Sequence, residues 1–241
     1  MNILCVIPAR YSSTRLPGKP LAEIAGKPMI QHVYERASLA KRPKQVIVAT
    51  DHQLVYESIE NFGGKAMMTS PDHLTGTDRL AEVAENFPEI DLIINVQGDE
   101  PLIPPEIIDQ LANAFDDNQD LQMATLMTEM DESEYNTPGA VKVVTDLQGY
   151  ALYFSRSVIP FPRNDVGVPI YKHIGIYAYR RDFLLTYANL TPTPLEQTES
   201  LEQLRALEHG YRIKVLQTNF KSIGVDTMED LEKVNQILKK Q

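Results

Sequence analysis

The sequence predicts an α/β protein built on a mostly parallel sheet that helices cover on both faces. Through the first hundred residues, short apolar runs alternate with segments in which apolar residues recur every three or four positions. The apolar runs lack the one-sided alternation of strands that face water, so they indicate strands buried on both faces. In such architectures ligands bind beyond the carboxyl ends of the strands.

The first half of the chain contains the clearest elements. The predicted order is strand 3–7, helix 29–37, strand 46–49, helix 53–62, strand 65–68, helix 77–87 and strand 92–96. Pro8 is expected to end the first strand, and Gly63 with Gly64 offers a C-terminal stop for the second helix. Polar loops follow each strand, so they are expected to meet at one edge of the sheet.

The second half is less regular. Strands are predicted at 123–127, 141–144, 151–155 and 174–179, with long connections that suggest mixed or antiparallel additions. No linker or internal repeat divides the chain. We therefore expect a single domain over residues 1–241, with an excursion at about 120–190 that carries a dimer contact.

The last helix has the strongest local signature. Thr227 stands at the cap position, Asp230 follows three residues later as in a capping box, and Leu231, Val234 and Leu238 share one face. A strand-like run ends in Asp226 directly before the cap. An acid so placed commonly serves the helix N-terminus, and it can ligate a metal if the C-terminal end folds back on the sheet.

Composition excludes several classes of protein. The chain has 241 residues, of which 43% are hydrophobic, and a net charge of −10. Net acidity without a basic stripe argues against nucleic-acid binding, and no apolar stretch reaches the ~20 residues of a membrane helix. The single Cys5 and the absence of a basic leader predict a cytoplasmic protein without disulfides. P-loop, dinucleotide-binding and zinc motifs are missing.

The first 27 residues concentrate positive charge. They hold four basic residues and one acid in a chain that is otherwise strongly acidic. The cations follow the first strand in a loop that leads to the first helix, where backbone N–H groups and a helix N-terminus can add donors. On charge alone, solvated surface charges are the commoner role of such residues, and a phosphate-binding cradle is the alternative.

Three further segments carry polar groups that suit a ligand. Asp99 comes directly after the buried strand 92–96 and is suited to bind Mg²⁺, since magnesium prefers one or two carboxylates together with phosphate oxygens. The loop 70–79 offers hydroxyls for a base or ribose, and segments 171–177 and 201–205 offer donors and acceptors for a polyhydroxylated acid. Taken alone, Asp99 is equally compatible with a polar turn, and the other segments more often serve turn chemistry or packing.

The loop from Arg10 to Leu21, Arg-Tyr-Ser-Ser-Thr-Arg-Leu-Pro-Gly-Lys-Pro-Leu, resembles the signature loop of the cytidylyltransferases among the sugar nucleotidyltransferases. The closest resemblance is to the CMP-Kdo synthetase family, where Kdo is 3-deoxy-manno-octulosonate. Further matching strings lie in the same order at 48–52, 76–79, 95–101, 123–126, 141–144, 150–160, 173–177, 201–205 and 224–227.

The resemblance implies a glycosyltransferase-A-like, Rossmann-like three-layer sandwich, a homodimer, and an enzyme that uses CTP and Mg²⁺ to activate Kdo as CMP-Kdo for lipopolysaccharide assembly. The nucleotide contacts that it implies are Pro8, Ala9, Arg10, Lys19, Ser70, Asp72, Thr75, Gly76, Thr77 and Gln97. The implied sugar contacts are Arg15, Arg156, His173, Tyr177, Glu202 and Gln203. The implied catalytic residues are Arg10, Lys19 and Asp99, and the implied metal ligands are Asp99 and Asp226.

The departures from the family pattern are small. Asp78 stands where glutamate is common, Phe161 stands where tryptophan is common, and the segment 164–172 is short. These differences affect the rim of the sugar pocket, so the 8-amino analogue of Kdo and sialic acid stay open as alternative substrates. A non-catalytic nucleotide-sugar sensor is the alternative from another class, although such a sensor would need no pair of metal-binding acids.

Overall fold

The computed structural model describes residues 1–12, 16–73, 75–116, 118–164 and 166–240. The strands are β1 (Ile3–Ala9), β2 (Glu23–Ile24), β3 (Lys27–Pro28), β4 (Gln45–Thr50), β5 (Ala66–Met68), β6 (Leu92–Asn95), β7 (Met123–Glu129), β8 (Lys142–Thr145), β9 (Ala151–Ser155), β10 (Tyr171–Arg180) and β11 (Ile213–Gln217). The helices are α1 (Met29–Ala37), α2 (Gln53–Asn61), α3 (Gly76–Asn86), α4 (Pro105–Asn113), α5 (Arg181–Ala188), α6 (Pro194–Glu199), α7 (Gln203–Glu208) and α8 (Met228–Leu238).

The main sheet has the strand order β11-β7-β10-β6-β1-β4-β5. The pairs β1·β4, β1·β6, β4·β5 and β7·β11 are parallel, while β10 runs antiparallel to both of its neighbours, β6 and β7. The carboxyl ends of β1, β4, β5 and β6 therefore lie along one edge. Because β10 runs the other way, its N-terminal half reaches that same edge. The four parallel pairs confirm the prediction of a mostly parallel sheet.

Helices cover both faces of the sheet and make a three-layer sandwich. Along β1, Cys5 and Ile7 belong to the core shared with α1, α2 and α4, whereas Leu4 and Val6 belong to the core shared with α3, α5 and α7. Successive side chains of a strand point to opposite faces, so a strand buried on both sides must be apolar throughout. This is the physical reason for the uninterrupted apolar run at the start of the sequence.

The first strand is longer than predicted, because it continues through Pro8 to Ala9. On its β6 side the ladder ends at the pairing of Val6 with Asn95, while the β4 side continues to the pairing of Ala9 with Thr50. Proline is tolerated in a strand where its missing N–H is not needed. Pro8 thus extends β1 past its neighbour and carries the backbone into the ligand-binding edge.

The segment that departs from the central sheet is shorter than the predicted excursion. The strands β7 and β10 lie inside the sheet, and the departing part is the hairpin β8–β9 with the connections on either side of it. A fully buried lysine anchors this part: the Lys142 Nζ donates to the carbonyl oxygens of Thr137 and Arg156, each at 3.0 Å. The hairpin is therefore joined to β10 rather than forming a separate unit.

Two sequence predictions near the C-terminus need correction. The run before Asp226 is not a strand, since no ladder forms between Gln217 and α8. The predicted helix over 201–205 begins only at Gln203, with Glu202 at the cap position. By contrast, the capping box of Thr227 and Asp230 at the start of α8 is confirmed.

Candidate active site

Two adjoining cavities open at the carboxyl edge of the sheet. The larger, with a volume of about 450 Å³, is lined by Pro8, Ala9, Arg10, Ser12, Lys19, Pro20, Met29, Gly76, Gln97, Gly98, Asp99 and Asp226. The smaller, about 180 Å³, is lined by Gly76, Thr77, Asn95, Gln97, Tyr177, Tyr179, Tyr187, Glu202 and Gln203. Gly76 and Gln97 belong to both, so a ligand that spans the cavities would pass between these two residues.

In the larger cavity one lysine forms ion pairs with two carboxylates. The Lys19 Nζ lies 2.6 Å from Oδ2 of Asp99 and 2.8 Å from Oδ1 of Asp226. Burial disfavours the charged ammonium, but the two carboxylates outweigh this effect and raise the pKa of Lys19. The lysine is therefore a permanent cation near neutral pH, and both acids converge on a single cationic position.

Backbone contacts hold the two acidic loops together. Asp99 lies four residues beyond the end of β6, and its carbonyl oxygen accepts a hydrogen bond from the N–H of Val225 at 2.9 Å. The same bond places Asp226 beside Asp99, with Thr227 capping α8 immediately afterwards. The C-terminal end thus folds back onto the sheet edge, as a shared site for these two acids requires.

Gly98 is required for the close approach of the Asp99 loop to β1. A Cβ built on Gly98 would lie 2.9 Å from the carbonyl oxygen of Pro8, a distance that real side chains do not adopt. Because the neighbouring atom belongs to the backbone, a larger residue would displace either β1 or the loop. The glycine before the acid therefore sets the position of Asp99 relative to the N-terminal loop.

The N-terminal loop is held by an aromatic stack at its start. Tyr11 stacks on His52, with ring centroids 3.9 Å apart, and Gly18 turns the far end of the loop in the left-handed region at φ +66°. Arg10 and Ser12 line the larger cavity beside Lys19. The predicted sugar contact Arg15 lies outside the described residues.

The loop before α3 is fixed by hydrogen bonds within the protein. Ser70 donates its N–H to Glu82 at 2.9 Å and accepts from the N–H of Asp72 through its hydroxyl, while Thr75 caps α3. Of the nucleotide contacts predicted in this region, Gly76 lines both cavities and Thr77 lines the smaller one. Ser70, Asp72 and Thr75 do not line either cavity.

The smaller cavity lies between β10 and the start of α7. Tyr177 and Tyr179 point into it from the same face of β10, and Tyr187 reaches it from α5. The Tyr187 hydroxyl donates to the carbonyl oxygen of Glu202 at 2.7 Å. The site of Glu202 and Gln203 is therefore fixed against α5.

The environment of Glu202 disfavours the charged form of its carboxyl group. Burial raises the pKa of its carboxyl group, although hydrogen bonds from the hydroxyls of Thr77 and Thr75 act in the opposite direction. Arg205 lies beside it: its Nη2 is 3.9 Å from Oε1 of Glu202 and already forms an ion pair with Glu196 at 2.5 Å. A hydrogen-bond donor from a ligand would therefore stabilise the charged form of this carboxyl group.

His173 lies behind Tyr177 rather than on the cavity wall. The two rings are 5.4 Å apart, and the His173 Nε2 is 3.0 Å from the hydroxyl oxygen of Thr125. Burial lowers the pKa of the imidazole to about 3. The histidine is consequently neutral at physiological pH and supports the cavity as a hydrogen-bonding group.

Arg156 is committed to the backbone. Its guanidinium donates to three carbonyl oxygens, those of Glu199 at 2.6 Å, Pro138 at 3.0 Å and Ser200 at 3.1 Å. It is not among the residues that line the two cavities. In the structure this arginine fixes the connection between α6 and α7, and through it the position of Glu202.

Several lining residues escape sequence reasoning. For Asn95 the signal is its place as the one polar residue at the end of an apolar strand. For Tyr179 the signal is its place two positions beyond Tyr177, on the same strand face. Tyr187 carries no such signal, because only the packing of α5 against the sheet brings it to the cavity.

None of the helices in the described ranges has the length and hydrophobicity that crossing a bilayer requires.

Comparison with known proteins identifies the family of the chain. A family model described as cytidylyltransferase matches residues 4–215. The 3-deoxy-manno-octulosonate cytidylyltransferase of Fusobacterium nucleatum is 54% identical over 240 residues, with coverage of 99% of this chain and 98% of the relative. The protein of the same name from Geobacter sulfurreducens is 53% identical over 251 residues, with coverage of 99% and 100%.

Solved structures give the same result. A structure of CMP:2-keto-3-deoxy-manno-octonic acid synthetase complexed with CTP superposes with a TM-score of 0.96 and 48% identity, covering 100% of this chain and 99% of the other. A cytidylyltransferase from Leptospira borgpetersenii, at 19% identity and a TM-score of 0.65, shares the fold; that match covers 100% of this chain and 88% of the other. The chain is therefore a member of the cytidylyltransferase family, in the group of the 3-deoxy-manno-octulosonate cytidylyltransferases.

Proposed function

We propose that the protein transfers CMP from CTP to the anomeric hydroxyl of Kdo and releases pyrophosphate. The observation that carries this proposal is the meeting of Lys19, Asp99 and Asp226 in the larger cavity, next to a smaller cavity lined by tyrosines and polar groups. A nucleoside triphosphate requires cations and a metal site, while a polyhydroxylated sugar requires aromatic walls and hydrogen-bonding groups. The two cavities supply these requirements side by side.

Charge is the main obstacle to the reaction. Both substrates are anions, and the protein itself has a net charge of −10. Local cations must therefore overcome the overall field. Arg10 and Lys19 line the cavity where the triphosphate would lie, and Lys19 is held there by two carboxylates rather than extended into solvent.

The residues present fit a magnesium ion. Asp99 and Asp226 converge on one cationic position, and two carboxylates together with phosphate oxygens are a preferred ligand set for Mg²⁺. Within the described ranges, no cluster of three or more His, Cys, Asp or Glu residues could hold a metal by itself, so the nucleotide and water would complete the shell. A metal held by Asp99 and Asp226 would polarise the α-phosphate and lower the pKa of the attacking hydroxyl.

The chemistry is an in-line displacement at the α-phosphorus. The anomeric oxygen forms a bond to phosphorus, the bond from phosphorus to the bridging oxygen of pyrophosphate breaks, and the hydroxyl proton is released. Catalysis of such a step is mainly positioning and electrostatic stabilisation. Arg10 and Lys19 would stabilise the charge that develops on the phosphates, while Glu202 and Gln203 would orient the sugar.

The wider setting rests on the family resemblance. CMP-Kdo would serve lipopolysaccharide assembly, and the predicted cytoplasmic location agrees with the use of CTP.

A homodimer is supported by exposed apolar side chains near the hairpin β8–β9: Leu152 is 62% exposed, Phe161 83% and Val168 60%. Exposed apolar side chains that form one patch are typical of a surface that another chain covers. Light scattering is expected to give twice the monomer mass, and a monomer would contradict the homodimer.

Pyrophosphate release from CTP and Mg²⁺ tests the proposal, with Kdo, its 8-amino analogue and sialic acid compared side by side. Release with Kdo as the best substrate would support both the chemistry and the sugar. Release with another acid alone would keep the chemistry and change the substrate. A folded protein that binds CTP but releases no pyrophosphate with any of the three would instead be a sensor.

A further inference from the structure

The smaller cavity contains two buried oxygen atoms without a hydrogen-bond partner. These are the side-chain oxygen of Asn95, which is 5% exposed as a residue, and Oε1 of Glu202. Both residues line the cavity. Buried polar groups in folded proteins nearly always have a partner, so two unpaired acceptors in one cavity indicate that a ligand supplies the donors.

Several of the protein's own donors around this cavity are already in use. The hydroxyl of Tyr187 donates to the backbone of Glu202, and the side-chain amide of Gln97 donates to the carbonyl oxygen of Gly175 at 2.8 Å. The hydroxyls of Thr75 and Thr77 serve the carboxylate of Glu202. The unpaired acceptors therefore cannot be satisfied by these neighbours without breaking existing bonds.

The chemistry of the lining disfavours the acidic end of a sugar acid in this cavity. No lysine or arginine is among the described residues that line it. A carboxylate placed here would face the carboxylate of Glu202 and the oxygen of Asn95, which accept hydrogen bonds and repel negative charge. Hydroxyl groups, by contrast, can donate to both.

Asn95 holds its position through the sheet. It is the last residue of β6, and its backbone pairs with Val6 on one side and Tyr177 on the other. A side chain at the end of a buried central strand cannot shift to follow a different ligand. It is therefore suited to select between ligands by the position of one hydroxyl.

We propose that Asn95 is a specificity-determining residue, which accepts a hydrogen bond from a hydroxyl on the polyol tail of the sugar acid beside the hydroxyl bound by Glu202. The inference rests on the proposed function and assigns an orientation to the substrate. The polyol tail enters the smaller cavity, and the carboxylate and anomeric carbon face the larger cavity with Arg10 and Lys19. Specificity for the tail then resides at the end of β6 as well as in the segment before α7.

The test compares wild type with Asn95→Leu, which removes the acceptor at similar size. Initial rates of pyrophosphate release are measured with Kdo and with analogues that lack one tail hydroxyl at a time. The matched control is Thr128→Val, which removes a buried hydroxyl on β7 outside the lining of this cavity. Denaturant unfolding establishes that each variant is folded; if Asn95→Leu is not, Asn95→Ser takes its place in the same comparison.

We expect Asn95→Leu to lower kcat/KM for Kdo about tenfold or more, with the KM for CTP within about twofold of wild type. One deoxy analogue should show a similar loss with wild type and no further loss with the variant, because both changes remove the same bond. A folded Asn95 variant that uses Kdo as well as wild type would overturn the inference. Wild type that releases no pyrophosphate with any acid sugar would instead refute the proposed function, which is a separate result.

Discussion

The neutral imidazole of His173 makes the stability of the protein depend on pH. In the folded chain the ring lies 5.0 Å from Phe154 and 5.4 Å from Tyr177, and burial lowers its pKa to about 3. An unfolded chain would titrate this group near the ordinary histidine pKa of about 6.5. The substitution His173→Gln removes the titration while it keeps a polar side chain that can reach Thr125.

The sign follows from which state binds the proton. Below about pH 6.5 the unfolded chain takes up a proton at this histidine and the folded chain does not, so acid favours unfolding. The stability contribution is complete above that pH and is lost as the pH falls toward the folded pKa of about 3. Between pH 7 and pH 5, the two pKa values predict a loss of up to about 2 kcal/mol in the free energy of unfolding.

Urea unfolding at a series of pH values between 7 and 5 measures this term. The wild type should lose up to about 2 kcal/mol more over that interval than His173→Gln, since the remaining titrating groups are common to both proteins. Equal slopes in the two proteins would refute the assignment of a buried neutral histidine. The result also bears on function, because a neutral His173 cannot be the counter-ion of the sugar carboxylate.

Three substitutions test the larger cavity. Lys19→Ala should raise the KM for CTP and lower kcat, because it removes the cation that lines the triphosphate site; Lys27→Ala, an exposed lysine of the same basic segment, should leave both unchanged in steady-state kinetics. Asp99→Asn should fold normally and lower turnover by ~10²-fold or more, and wild-type turnover would remove Asp99 from the mechanism. Gly98→Ala should destabilise the protein by about 1–3 kcal/mol and lower kcat, while Gly139→Ala, where an added Cβ meets no atom within 4 Å, should do neither in the same unfolding and rate measurements.

The sequence predicts the central layer of this fold well because the physical signal there is local. The apolar run that forms β1 and the capping box of α8 each depend on neighbouring residues alone. The helix α4, by contrast, was not predicted, although Ile107, Ile108 and Leu111 have helical spacing and Pro105 suits a first turn. The local sequence therefore does contain the signal for this helix.

Other features could not be predicted from local patterns. Arg79 is fully buried, and its guanidinium bonds to Asp51 at 2.9 Å and to the hydroxyl of Thr69, which joins the ends of β4 and β5 to α3. The role of Arg156 likewise depends on carbonyl groups that come together only in the folded chain. Burial of a charged side chain is decided by partners far along the sequence, so no window of neighbouring residues reveals it.

The candidate site likewise contains residues that the sequence predicts and residues whose position depends on the fold. The resemblance of the N-terminal loop predicts Arg10 and Lys19, and the structure brings both to one cavity with Asp99 and Asp226. The wall of the smaller cavity depends on the register of β10 against β6, which sets Tyr177 opposite Asn95. A one-residue change in register would turn the tyrosine to the other face, and sequence alone does not fix that register.

The central claim is that one site joins CMP to a sugar acid and releases pyrophosphate. The direct measurement is ³¹P NMR of a mixture of protein, CTP, Mg²⁺ and Kdo. We expect the three signals of CTP to be replaced by equal amounts of pyrophosphate and one phosphodiester, and no change when Kdo is omitted. Pyrophosphate or phosphate formed without the sugar, or CTP left intact by folded protein with Kdo present, would contradict it.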